Sequence, residues 1–318
     1  MKSNKYEIDM CNGSIMDKLV SFALPLMLSG ILQLMFNAVD IIVVGRFSGS
    51  EALAAVGSTT ALINVFTNLF IGISLGANVL AARFFAAGRK EEMSETVHTS
   101  ITLALISGIL MAFVGLVFSK GALELMGTPE DVIGLSTLYM QIYFMGMPFF
   151  MLYNYGAAIL RAVGDTKRPL YFLIIAGVIN AGLNMILVIV FGLGVAGVGI
   201  ATVFSQMVSC VLVLTCLCRT EGSYKLSFSK LSMKGYYLKQ IFQVGIPAGI
   251  QSTVINFSNA LLQSSVNSFG STAMAGYTAA NNILGFLYVS INSVTQACMS
   301  FTSQNFGVGK YKRMDRVL

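Results

Sequence analysis

The run "FALPLMLSGILQLMFNAVDIIVVGRF", Phe22 to Phe47, contains one carboxylate, Asp40, before it reaches a cation at Arg46. A stretch this long and this apolar is what a helix needs to cross a bilayer, whose hydrocarbon core of roughly 30 Å takes about 20 residues. Asp40 is then the anomaly. An ionised group in hydrocarbon is costly, so it is retained where something uses or shields it.

The rest of the chain repeats the pattern. Hydrophobic residues make up 55% of the 318 and charged residues 11%, with mean hydropathy +0.76; an ordinary soluble domain carries about 25% charged residues. Eight apolar runs read as spans at 19–45, 52–82, 98–118, 132–160, 169–191, 196–218, 240–267 and 275–303. The expectation is an all-α, polytopic membrane protein, because a lone segment satisfies its backbone in lipid only as a helix. The first span is too long for a signal peptide and no small-residue cleavage site follows it. Cys11, Cys210, Cys216, Cys218 and Cys298 show no zinc or redox spacing and read as small hydrophobes.

A net charge of +6 would suggest nucleic acid in a soluble chain, but its distribution says otherwise. Of the 20 Lys and Arg residues, 18 fall in the N-terminus and near 83–97, 161–168, 219–239 and 304–318, leaving Arg46 and Lys120 for the opposite side. This is the positive-inside bias. It predicts a multi-pass protein of the plasma (cell inner) membrane with a cytoplasmic N-terminus, lipid as a partner and no nucleic acid.

The chain also repeats itself. Phe22–Gly30 "FALPLMLSG" matches Val244–Ser252 "VGIPAGIQS", placing Pro25 opposite Pro247 at an offset of 222 residues. "SEALAAVG" from Ser50 matches "STAMAGYT" from Ser271, and "ARFFAAGRKEEM" from Ala82 matches "SQNFGVGKYKRM" from Ser303, both offset by 221. Spans seven and eight therefore restart spans one and two on the same side, a parallel repeat. Residues 1–222 form a six-helix N-terminal bundle, and 223–318 the first two helices of a second bundle. Twelve helices are expected in the complete protein, so the sequence is expected to be partial.

Gln33, Asn37 and Asp40 share one face of the first helix by their i, i+4, i+7 spacing, and Asp40 lies about 9 Å inside the Arg46 boundary. It reads either as a helix-end carboxylate reaching interfacial water or as a buried proton or cation site; the second is favoured. Asn180 and Asn184 in span five, and Thr202, Gln206 and Ser209 in span six, offer oxygens suited to a hard monovalent cation. Interhelical hydrogen bonding is the plainer alternative for each. Thr60, Asn64 and Asn68 in span two, and Ser252, Asn256, Asn259 and Gln263 in span seven, either line a wet cavity or pack helices. Tyr139, Met140, Tyr143, Met147, Tyr153 and Tyr155 could make an adaptable apolar wall. His98 reads as a solvated boundary histidine. No phosphate-binding GxxxxGK[ST] and no nucleophile–base pair stands out, so no enzyme and no cofactor is expected.

"ILRAVGDTKRP" (Ile159–Pro169) and "ALPLMLSGILQLMFNAVDIIVVGRFSGSEALAAVG" (Ala23–Gly57) resemble the corresponding segments of the multidrug and toxic compound extrusion (MATE) family. The resemblance implies two six-helix bundles that rock between outward- and inward-open states. It implies a monomeric secondary active antiporter exporting amphipathic or cationic drugs in exchange for H+ or Na+. The family's N-lobe cation site, for H+ or Na+, maps onto Asp40, Asn180, Asn184 and Thr202. Gln33, Asn37 and Tyr139 would lie nearby, with Asn64, Asn68 and Gln206 along the substrate cavity and Pro25 bending the first helix. Two positions depart from the pattern: Asn184 where relatives often carry aspartate, and Ile255 where some carry glutamate. The alternatives are a lipid-linked saccharide flippase or polysaccharide exporter of the same architecture, disfavoured because the embedded charge is negative, and a non-functional fragment.

Overall fold

The computed structural model describes residues 6–267 and 271–317; the side chains of Ser58, Ala61 and most positions from 256 to 283, Asn256 and Gln263 among them, lie outside the described residues. The described chain is helical, with no strand. Helix α1 covers Ile15–Phe47, α2 Gly49–Ala86, α3 Lys90–Leu125, α4 Glu130–Met145, α5 Met147–Ala162, α6 Lys167–Asn184, α7 Gly194–Arg219, α8 Gly235–Asn267, α9 Ser271–Gly307 and α10 Tyr311–Asp315. Five of these are long and apolar enough to cross a membrane, or six when α4 and α5 count as one span bent by 47°.

Local chemistry sets the boundaries. The Ser14 hydroxyl caps α1 by accepting the Asp17 N–H at 3.5 Å, with Asp17 in the first turn and Arg46 in the last, the signs that suit the helix dipole. Gly146 and Pro148 break α4 from α5, proline being tolerated in the opening turn of a helix. At that break the Gln206 side chain of α7 comes within 2.8 Å of where a β-carbon on Gly146 would stand. Helix α6 does not stop at Asn184 but widens into a π-helical turn, Met185–Val190.

The expected six-span bundle is formed by α1 to α7, and α8 and α9 pack across α2 and α1. Its core holds Tyr155, Phe144, Met93, Met147, Met151 and Ile159, all fully buried. The most extensive contact joins α2 to α8. There Gly72 and Gly76 face Gly245 and Gly249, two small-xxx-small pairs that let the backbones touch. A β-carbon on Gly249 would lie 2.7 Å from the Leu69 carbonyl oxygen. In lipid, where hydrophobic burial gives little drive between helices, such close packing is the cohesive force.

One expectation is corrected. His98 is buried, at 3% exposure, not solvated. Its Nε2 accepts the Ser227 N–H at 3.1 Å while Nδ1 faces the Ser94 carbonyl at 2.7 Å, the pattern of a neutral ring protonated on Nδ1. The connector between α7 and α8 folds back over the start of α3, and the Lys234 N–H reaches the Thr99 hydroxyl at 3.4 Å. A contact across 129 residues leaves no local sequence mark. A second, smaller core joins Met10 ahead of α1 to Phe22 and Leu26 of α1 and to Ala297 and Phe301 of α9.

Candidate functional site

Helix α1 lies against α6. Gly177 leaves room for the Phe36 ring, and one turn further along α1 Asp40 meets Asn184. The Asn184 amide nitrogen donates to Asp40 Oδ1 and, at 3.2 Å, to Asn180 Oδ1, so the three side chains form one chain of hydrogen bonds. Asn180 and Asn184 are buried, at 5% and 0% exposure, and Asp40 is half-buried. No cation pairs with Asp40 among the described residues. Its partner is an amide, and a hydrogen bond to an ionised acceptor is about twice as strong as a neutral one.

Two buried amide oxygens in this region, Asn184 Oδ1 and Gln206 Oε1, have no hydrogen-bond partner among the described residues. Buried acceptors without donors are uncommon in native proteins and mark sites that a proton donor, water or cation can complete. Tyr139 and Tyr143 of α4, with ring centres 6.2 Å apart, lie close enough to feel the charge of Asp40, and Tyr143 bonds the Gln206 side chain. Tyr143 thus joins the expected Tyr139 within electrostatic reach of the carboxylate. Among the described residues no group of three His, Cys, Asp or Glu side chains converges, so the donors here are one carboxylate and amides.

The other expected residues are distributed differently. Thr202 is half-buried on α7, and its hydroxyl donates to the Val198 carbonyl of its own helix at 2.9 Å. Gln33 and Asn37 are exposed on α1, Asn64 is exposed on α2, and Asn68 and Gln206 are half-buried. Pro25 is buried inside α1, with the Ser29 hydroxyl bonded to its carbonyl at 2.8 Å. A helical proline supplies no N–H to the preceding turn, so α1 is weakened there.

Sequence reading missed a polar seam between the two helix sets. Buried Asn78 of α2 donates to the Ala158 carbonyl of α5 at 2.8 Å and accepts from the Ser300 hydroxyl of α9 at 3.1 Å. Gln304 of α9 donates to the Ala162 carbonyl at 2.7 Å. Asn78 and Ser300 are 222 residues apart, close to the repeat offset, which is the one signal that could have found them. At the same basic end, away from Asp40, a cavity of 840 Å³ opens between Glu7, Phe85, Glu95, His98, Tyr224 and Lys230.

With this geometry in hand, comparison with known proteins is informative. The MatE family model matches residues 25–186 and 247–318, covering both copies of the repeat. The probable multidrug resistance protein YoeA of Bacillus subtilis (strain 168) is 33% identical over 306 residues, covering 93% of this chain and 66% of that protein. The probable multidrug resistance protein YpnP of the same organism is 29% identical over 309 residues, covering 96% and 68%. The chain thus spans about two thirds of the length of the curated relatives it matches. Among solved structures, a MOP superfamily transporter from Pyrococcus furiosus superposes with a TM-score of 0.92 at 24% identity, over 100% of this chain and 70% of that one, a likeness of fold. With the family model matched over most of its length and the helix order and repeat in agreement, the chain belongs to the MatE family.

Proposed function

We infer that the protein is a secondary active efflux antiporter that moves amphipathic, cationic compounds outward in exchange for H+ or Na+, with the exchange coupled through Asp40. The observation that carries this reading is the Asp40–Asn184–Asn180 chain, a carboxylate held between two membrane helices by amides and no cation. Such a group can take up or release a positive charge, and the orphan oxygens of Asn184 and Gln206 offer further acceptors to an entering ion. The similar YoeA and YpnP, both probable multidrug resistance proteins, point the same way.

In this scheme the N-terminus and the basic loops face the cytoplasm, and lipid covers the apolar flanks. Ionised Asp40 favours a cationic compound in the cavity. Loading H+ or Na+ there neutralises the site and lets α1 repack around Pro25, releasing the compound. A ligand shifts such an equilibrium only through its differential affinity for the two states, and Asp40 is where that difference arises.

The test is export of a fluorescent cationic dye from proteoliposomes holding the full-length protein, with pH and sodium gradients imposed separately. Asp40→Asn is expected to abolish gradient-driven export while the purified variant keeps its thermal unfolding profile. Export at the wild-type rate in that variant would end the proposal.

A further inference from the structure

The segment ahead of α1 does more than lead into the membrane. Tyr6 to Gly13 runs across the basic end and is held at both of its ends by different helix sets. Its first half belongs to the first bundle. The Arg168 guanidinium stands over the Tyr6 ring at 5.5 Å, and the Tyr224 hydroxyl donates to Glu7 at 2.7 Å. The Ile8 backbone passes 2.6 Å from where a β-carbon on Gly164 would stand, and Gly164 has φ +91°. Only glycine serves there, for the space and for the left-handed backbone.

Its second half belongs to the start of the repeat. Lys310 donates to the Cys11 carbonyl at 2.9 Å and to Asn12 Oδ1 at 2.7 Å. Arg313 donates to the carbonyls of Met10, Gly13 and Asn12 at 3.1, 2.9 and 3.2 Å, and Asn305 reaches the Met10 carbonyl at 3.2 Å. The Met10 side chain, fully buried, plugs the gap between α1 and α9. The segment is shaped for this grip. Asp9 accepts from the Cys11 N–H and the Asn12 amide, and Lys18 bonds the Asp9 and Asn12 carbonyls, folding a turn whose carbonyls point at α10.

We propose that residues Tyr6–Gly13 form a latch that ties the two bundles together at the basic end, and that this end opens only when Lys310 and Arg313 let go. The bundles cannot separate here while the segment is bonded to both, because about eight residues of folded chain hold no slack to bridge a widening gap. This rests on the reading that the bundles exchange states; the experiment below measures the state directly, without transport.

Cys11 is a built-in reporter, since the other four cysteines lie in α7 and α9. Burial raises its thiol above the ordinary value, which keeps it slow toward maleimide while the latch is closed. In full-length protein with every cysteine but Cys11 replaced by serine, the double variant Lys310→Ala, Arg313→Ala is expected to label at Cys11 at least about tenfold faster, because each lost bond from a charged donor shifts opening by roughly that factor. Spin labels at exposed Lys167 and Arg316, one on each side, are expected to show a new, longer distance in the variant. An unchanged labelling rate and an unchanged distance distribution would overturn the latch. Should the double variant fail to fold, Tyr224→Phe loosens the other half, and the same two readouts decide. Loss of gradient-driven export in Asp40→Asn together with unchanged labelling and distances in the latch variants rejects the latch alone; wild-type export in Asp40→Asn together with the expected labelling and distances rejects the coupling scheme alone.

Discussion

A single amide holds the Asp40 carboxylate. Asn184 gives its nitrogen to Asp40 and to Asn180 at once, so removing it leaves a half-buried carboxylate and a buried acceptor unpaired. Asn184→Ala is expected to destabilise the purified protein by about 2 kcal/mol, the range for a lost hydrogen bond to a charged group. In an Asp40→Asn background the same change should cost less, so a double-variant cycle read by thermal unfolding isolates the pair. Equal losses in both backgrounds would mean that the contact carries no charge-dependent energy. These residues were legible in the sequence because one acid in an apolar run has to be explained, and because Asn180 and Asn184 are one turn apart. Their convergence was not, since helical spacing says which residues share a face but not which face the next helix meets. Tyr143 shows the same limit: it stood in an aromatic run with nothing to set it apart until α4 was placed against α7, where it bonds Gln206.

At the level of helices, the apolar runs gave the helix order, but of the eight expected spans the described residues hold five, or six with the bent α4–α5 pair, that are long and apolar enough to cross, α8 and α9 not among them. Most helices run a few residues past the predicted ranges because polar ends continue beyond the hydrocarbon. The bend at Gly146 and the π-helical turn after Asn184 were not legible; both depend on what α7 and α1 press against rather than on local propensity. π-helical turns recur at functional sites, and this one begins at the residue that holds Asp40. The contact of α2 with α8 was written in the sequence as Gly72-x-x-x-Gly76 and Gly245-x-x-x-Gly249, and went unread. It supplies a prediction at this scale. Gly249→Ala drives a methyl into the Leu69 carbonyl and should destabilise by about 1–3 kcal/mol, as overpacking does. Gly57→Ala, where nothing lies within 4 Å, should be neutral or stabilising by up to about 1 kcal/mol. Thermal unfolding of the two variants side by side checks the contrast, and equal effects would remove the close-packing explanation.

For the molecule as a whole, the repeat foretold that α8 and α9 restart the pattern of α1 and α2, but not that a polar N-terminal segment stitches them to the first bundle. Fourteen residues without periodicity carry no pattern to read, and the grip is made by side chains some 300 residues away. The stitching has a pH limit. Burial works against ionised Asp9, but bonds from Asn12 and Cys11 and the charge of Lys18 outweigh it and hold the carboxyl below its ordinary value. A lowered folded-state value stabilises above the unfolded one and is lost as pH falls through it. The Lys167–Arg316 distance should therefore stay constant from neutral pH down to about 4 and lengthen only below that; lengthening near pH 6 would assign the change to another group. One more consequence follows from the acceptors that Lys310 and Arg313 choose. These are carbonyl and amide oxygens rather than carboxylates, so neither cation is neutralised by its partner. Dissolved salt screens attraction between separated charges but reaches short bonds to neutral groups far less. The fastening is thus expected to hold across ionic strengths.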